Sequence, residues 1–343
     1  MNLNSMVDYL KVYNGRPLRI MEVCGTHTSA IIKSGMRSIL SENIHLISGP
    51  GCPVCVTPAG FIDVLRNAAL AENAVVLSFG DMLRVPGTDG SLADARALGG
   101  DIRMVYSPFE ALELSAENPD KQFVFAAVGF ETIAPVYALL LERALERNIK
   151  NLKLLTGLKT MPAVLKMMCC SNVDALIAPG HVAAITGASY FNPIAENYKK
   201  PFCIAGFTDE AVISSVYDLV VQCNCHSCRV HNLYSSVVTL EGNLSAQEAI
   251  SRVFEPSDAI WRGMGVIPGS GLKLKGEYSE FEYPHTPFSD TSSKGCRCGD
   301  VIRGAISPCE CKLFGKSCTP SNPKGPCMVS HEGACGIWYN GAI

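Results

Sequence analysis

Cys24 stands in the run Cys24-Gly25-Thr26-His27-Thr28, directly after the apolar stretch LRIMEV (18–23). A thiol at a strand end that leads into a helix gains from nearby backbone N–H groups and the helix dipole. Cys24 can therefore serve as a nucleophile or a soft metal ligand, with His27 as a second ligand or proton carrier. A second apolar stretch, IHLIS (44–48), runs into Gly49-Pro50-Gly51-Cys52-Pro53-Val54-Cys55. This C-x-x-C pair is expected at a helix start, as a reversible dithiol/disulfide. Glu131, in Gly129-Phe130-Glu131-Thr132, is expected to open a long helix. There its role is either chemical or that of an acid favoured by the helix dipole. His181 follows DALIAP (174–179) in a Gly-Pro turn.

The last forty-odd residues hold seven of the sixteen cysteines: Cys296, Cys298, Cys309, Cys311, Cys318, Cys327 and Cys335. The segment is rich in Gly and Pro and poor in apolar runs, so burial alone cannot hold it together. Disulfides, zinc or an iron–sulfur cluster must staple it. No basic leader followed by an apolar core is visible at the start, and no apolar stretch has the length of a membrane span. A cytoplasmic location is expected, and there a cysteine-rich segment reads as metal-binding or redox-active. Paired C-x-x-C knuckles are absent from the tail. Its long, uneven spacings favour a [4Fe–4S] cluster over zinc. A further group, Cys223, Cys225, His226 and Cys228, reads as either a zinc site or incidental thiols. Cys169, Cys170 and Cys203 read as small apolar packing residues.

Positioning these residues falls to a repeated pattern between about 18 and 240. Eight short apolar runs (18–23, 44–48, 74–79, 102–106, 122–128, 152–157, 174–179 and 202–207) alternate with helix-like stretches. Near-continuous apolar strands alternating with helices indicate an α/β fold with parallel sheets. Eight units suggest two consecutive doubly wound domains, 1–120 and 121–240, followed by a loop-rich cysteine region, 241–343. Ligands of such sheets sit beyond the carboxyl ends of strands. The four motifs at strand ends are thus expected to form one composite site in a cleft. With 29 Lys and Arg against 32 Asp and Glu, the net charge is −3. Nothing marks a nucleic-acid surface, which would need clustered basic residues.

MEVCGTHT, GPGCPVCVTP and GFETIAP, together with the tail pattern from Cys298-Gly299-Asp300 to Cys335, resemble the HypD family of hydrogenase maturation factors over residues 16 to 340. The family pattern has a second Thr where Ile133 stands. The resemblance implies a scaffold on which the Fe(CN)2CO group of a [NiFe]-hydrogenase is assembled, rather than a free-standing enzyme. It implies a small HypC-like chaperone that shares the iron and a HypE-like cyanide donor as partners. On this resemblance Cys24 is the ligand of the iron under assembly, and Cys52 and Cys55 are a redox pair. Cys296, Cys311, Cys318 and Cys335 bind a [4Fe–4S] cluster. Cys298 and Cys327 form a second thiol pair beside it. Cys309 lies outside the pattern. The competing reading is an iron–sulfur disulfide reductase acting on a protein substrate; a zinc-stapled interaction protein is a third.

Overall fold

The computed structural model describes residues 2–290 and 294–341. All eight apolar runs are strands: β1 Leu18–Glu22, β2 Ile44–Ser48, β3 Val75–Ser78, β4 Ile102–Met104, β5 Phe123–Gly129, β6 Leu152–Leu158, β7 Ala175–Ala178 and β8 Phe202–Ile204. Three more follow, β9 Val230–Asn232, β10 Phe254–Trp261 and β11 Gly265–Leu274. One parallel sheet has the order β2-β1-β7-β8-β9, and a second has β4-β3-β5-β6. β10 and β11 form an antiparallel hairpin.

The expected α/β class with two parallel sheets is present, but the sheets are not consecutive in sequence. β4 and β5, on either side of residue 120, belong to the same sheet, while β1 pairs with β7 in the other. The chain leaves the first sheet after β2, builds the whole second sheet, and returns at β7. Register explains why the cut fails. Ile20, Met21 and Glu22 pair with Ala175, Leu176 and Ile177, so the first sheet needs strands from both halves of the chain.

Each sheet is covered on both faces, which is why its strands are continuous apolar runs. All seven residues of β5 are buried. The helices Leu3–Lys11 and Asp209–Asn224 contribute to the core on one face of the first sheet. On its other face, the helices Met161–Cys169 and Asn192–Tyr198 share a core with Cys298, Val301, Cys318, Cys327 and Cys335 of the tail. The tail thus packs onto the α/β body. Residues 241–290 are less irregular than expected, holding the helix Leu244–Val253 as well as the hairpin.

Candidate functional site

Cys24 caps the helix Gly25–Lys33 at the end of β1, in extended conformation. Its side chain is buried, and burial pushes the thiol up to about 11. The backbone N–H groups of His27 and Thr26 oppose this but do not outweigh it. The helix terminus alone therefore does not make a thiolate here. Beneath it lies Glu22, whose carboxylate accepts from the Cys24 N–H at 3.3 Å and from the Thr28 hydroxyl. Burial raises that carboxyl to about 7.

His27 is fully buried, and its Nε2 sits 3.2 and 3.1 Å from the Ala205 and Gly206 carbonyls. Those contacts require Nε2–H to donate, so Nδ1 is the bare nitrogen, and it has no partner among the described residues. Burial lowers this imidazole to about 4. Phe207 lies against His27 at 4.7 Å and stacks on His181 at 4.3 Å. His181 is exposed on the helix Gly180–Thr186. The two histidines are thus joined through one aromatic ring.

The Cys52–Cys55 pair lies in a turn after β2 rather than at a helix start; the next helix begins at Ala59. Its sulfurs are 2.6 Å apart, and the Cys55 N–H donates to Cys52 Sγ at 3.3 Å. Both residues are buried. Burial raises the Cys55 thiol, but hydrogen bonds from Cys327 and Cys52 outweigh it and bring it down to about 6. Cys52 is pushed up by burial and by its neighbour Cys55. Gly51 brings this loop against Cys24, since a Cβ there would overlap the Cys24 backbone. Gly25 does the same for the tail, because a Cβ there would overlap the Glu332 backbone. The loop around Glu332 covers the Cys24 turn, and Thr26 Oγ1 lies 3.4 Å from the Glu332 carboxylate.

In the tail, Cys298 Sγ and Cys327 Sγ are 2.6 Å apart. Cys327 also reaches Cys55 and Cys335 by thiol hydrogen bonds, and donating to its three sulfur neighbours, Cys298 first, raises it. Cys296, Cys311, Cys318 and Cys335 line one small cavity together with this pair. Burial and the neighbouring Cys298 push Cys296 up to about 12, and burial raises Cys318. Gly325 closes the cavity, and a Cβ there would stand 2.6 Å from Cys296 Sγ. Six thiols around one cavity include enough donors for the four that a [4Fe–4S] cluster takes. Crowded, buried thiols of this kind become thiolates when iron supplies the positive charge. Cys309 is exposed and does not line this cavity.

Glu131 departs from expectation. The helix starts at Ala134, three residues later. The Glu131 carboxyl is buried and accepts from the Met161 N–H at 2.8 Å and the Tyr190 hydroxyl at 3.0 Å. Burial raises it, and Oε2 has no partner among the described residues. None of its hydrogen bonds reaches the thiols, so it stands apart from the sulfur file. The Cys223–Cys228 segment ends the helix Asp209–Asn224. His226 adopts φ 53°, while Ser227 N–H bonds to Gln222 C=O and His226 N–H to Cys223 C=O. That is a Schellman-type helix end. Cys223 is buried and Cys225 exposed. Among the described residues no three His, Cys, Asp or Glu side chains converge closely enough to hold a single metal ion. No described helix is long and apolar enough to cross a membrane.

Sequence comparison covers nearly the whole molecule. The family model HypD, described as "Hydrogenase formation hypA family", matches residues 3–341. The hydrogenase maturation factor HypD of Escherichia coli K12 is 41% identical over 347 residues, covering 98% of this chain and 93% of that protein. HypD of Azotobacter vinelandii is 40% identical, covering 94% of this chain and 89% of its own. A putative hydrogenase expression/formation protein of Methanocaldococcus jannaschii is 41% identical, with 94% and 91% covered. The chain belongs to the HypD family of hydrogenase maturation factors.

Proposed function

We propose that this protein is a scaffold on which the Fe(CN)2CO group of a [NiFe]-hydrogenase is built, with Cys24 as a thiolate ligand of the iron cargo. A small HypC-like protein supplies a further ligand, and a HypE-like protein donates cyanide. The observation that carries this reading is the continuous file of sulfur. It runs from the tail cavity, whose wall includes Cys298 and Cys327, to Cys55 and Cys52, and the loop bearing Cys52 presses on Cys24. Soft thiolates suit low-spin iron that carries cyanide and CO.

Cys296, Cys311, Cys318 and Cys335 would hold a [4Fe–4S] cluster, which when bound supplies one-electron redox chemistry beside the Cys298/Cys327 pair. The remaining steps belong to thiols. The Cys55 thiolate attacks Cys327 of a Cys298–Cys327 disulfide, and Cys298 leaves as a thiolate. Cys52 then attacks Cys55 and releases Cys327. The products are a Cys52–Cys55 disulfide and a Cys298/Cys327 dithiol, so two electrons have moved along the file; the exchange is reversible. With Cys327 held in a disulfide its hydrogen bond to Cys55 is gone, and the one from Cys52 remains to favour the attacking Cys55 thiolate. Buried, neutral His27 keeps positive charge away from Cys24 and leaves Nδ1 as an acceptor near the cargo.

Infrared spectroscopy of the anaerobic complex with a HypC-like partner tests the reading. The wild type should show cyanide and CO stretches, and Cys24→Ala should lose them while keeping its tail iron. Cys24 is 5% exposed, so the thermal midpoint of the variant is measured alongside to separate ligand loss from a cavity effect. Unchanged bands in Cys24→Ala would refute the assignment.

A further inference from the structure

β2 is an edge strand of the first sheet. Leu18 N–H bonds to Asn43 C=O, and Gly49 N–H bonds to Glu22 C=O. With the register Leu18↔Ile44 to Glu22↔Ser48, this parity directs the main-chain groups of His45, Ile47 and Gly49 toward β1. The N–H groups of Leu46 and Ser48 therefore face the open side, although both residues are buried. A free strand edge of this kind is a template for another strand.

That open side is one wall of a cavity of about 510 Å³ between β2 and tail residues 301–310. Arg37 and Trp338 line it, with the guanidinium stacked over the indole at 4.4 Å. Arg37 Nε and Trp338 Nε1 are both buried donors without a hydrogen-bond partner. Arg37 makes no ion pair among the described residues; the buried Glu22 carboxyl and Cys309 are the acidic groups that act on it. Burial lowers Arg37, so its charge is poorly compensated where it stands. Of the two acids on the cavity wall, Glu310 already accepts from the Ser307 N–H, and Glu42 is exposed. Unpartnered buried donors are costly, and a guanidinium beside an N–H donor matches a carboxylate in charge and geometry. The open β2 edge adds main-chain donors and acceptors in the spacing that an extended peptide satisfies.

We propose that this cavity docks an extended peptide segment of a partner protein by strand addition to β2, with a carboxylate of that segment received by Arg37 and Trp338. The cavity is separate from the thiol file. It gives the molecule a second contact surface, on the side of the first sheet where the tail returns.

Trp338 is one of two tryptophans, and the other, Trp261, is fully buried. The full-length protein labelled with 5-fluorotryptophan therefore has one signal for the cavity and one internal control. The probes are acetyl-Thr-Val-Thr-Val with a free carboxylate, the same peptide as a carboxamide, and acetate. The free acid should shift the Trp338 signal saturably, at least ten-fold more tightly than the carboxamide and than acetate, with the Trp261 signal fixed. Arg37→Gln should make acid and carboxamide bind alike, and Arg37→Lys should keep part of the preference. An unmoved Trp261 signal in each variant shows that the fold is intact. Four results would overturn the proposal: no Trp338 shift with any probe; equal binding of acid and carboxamide to wild type; acetate matching the peptide, which marks a free-anion site; or a probe-free shift with protein concentration, which marks a second copy of the chain.

Discussion

Gly325→Ala puts one methyl group into the wall of the six-cysteine cavity. Gly325 has φ −149° and ψ 160°, ordinary extended values that alanine adopts without strain. The effect is therefore steric. The new Cβ would lie 2.6 Å from Cys296 Sγ and 3.6 Å from Cys298 Cβ. The first distance is about 1 Å short of ordinary contact, so one of the two groups must move. Gly325 is followed by Pro326 and a short helical turn, Pro326–Met328, which restrain it. Cys296 is only half-buried, so its side chain swings outward. Over-packing of this size costs about 1–3 kcal/mol, and the partly open position of Cys296 puts the loss at the lower end. The ligand set suffers more than the fold, because the displaced sulfur leaves the cavity. Anaerobically purified wild type should contain roughly four irons per chain, and Gly325→Ala should lose at least half of them under a chelator challenge that wild type survives. Thermal unfolding of the metal-free forms should differ little. Wild-type iron content and chelator resistance in the variant would refute the placement of Cys296 among the ligands.

Two further outcomes follow from the titrating groups. Exchange between the Cys298/Cys327 and Cys52/Cys55 pairs should slow as pH falls, about ten-fold per pH unit once the Cys55 thiol is mostly protonated. Cys52→Ser should trap a Cys55–Cys327 mixed disulfide; thiol trapping with mass spectrometry reads both, and exchange insensitive to pH, or a different trapped pair, would contradict the order of attack. Lys159 is buried, with its Nζ 3.4 Å from the Gly157 carbonyl and 6.0 Å from the Trp261 ring centre, and burial lowers it from 10.5 to about 8. Between those values the unfolded chain binds more protons, so wild type gains stability as pH rises through the window and bears the full cost below it. Lys159→Met should therefore be more stable than wild type at pH 7, by roughly 3 kcal/mol at most, with the difference shrinking toward pH 10. Denaturant unfolding measures it, and a pH-independent difference would show that the fold leaves the lysine's pKa unshifted.

The eight strands were legible because strands buried on both faces are written as unbroken apolar runs. β9 was not, since Val-His-Asn is half-buried throughout. The hairpin was hidden by its alternating exposure and by Pro256 and Pro268. The interleaving of the sheets left no trace either, because the β1–β7 register is a pairing across some 150 residues, and no local pattern encodes a pairing. At the site, residue types and spacing marked the thiols, but not their electrostatics. Helix-terminus reasoning favoured a Cys24 thiolate, yet burial dominates there. At Cys55 the thiolate arises instead from two sulfur donors, one of them 272 positions away at Cys327. Arg37 and Trp338 belong to no motif, and only their shared lack of partners brings them to notice.

One topological rule accounts for most of the site, and two glycines account for the rest. Cys24 and Cys52 follow the carboxyl ends of adjacent parallel strands, β1 and β2, and His181 follows β7, which flanks β1 on the other side. The carbonyls that fix His27 belong to Ala205 and Gly206, just beyond β8. In a parallel sheet these ends share one edge, so residues far apart in sequence converge without any dedicated device. The cysteine tail has no strand in either sheet, and the rule does not deliver it there. It reaches the edge where Gly25 presents bare backbone to Glu332, while Gly51 does the same for the Cys52 loop against the Cys24 turn. A side chain at either glycine would part the layers by the width of a methyl group. Thiol exchange requires sulfurs in contact, so such a gap would break the file while leaving both sheets folded. The two glycines thus bear on function more than on stability, although neither carries a reactive group.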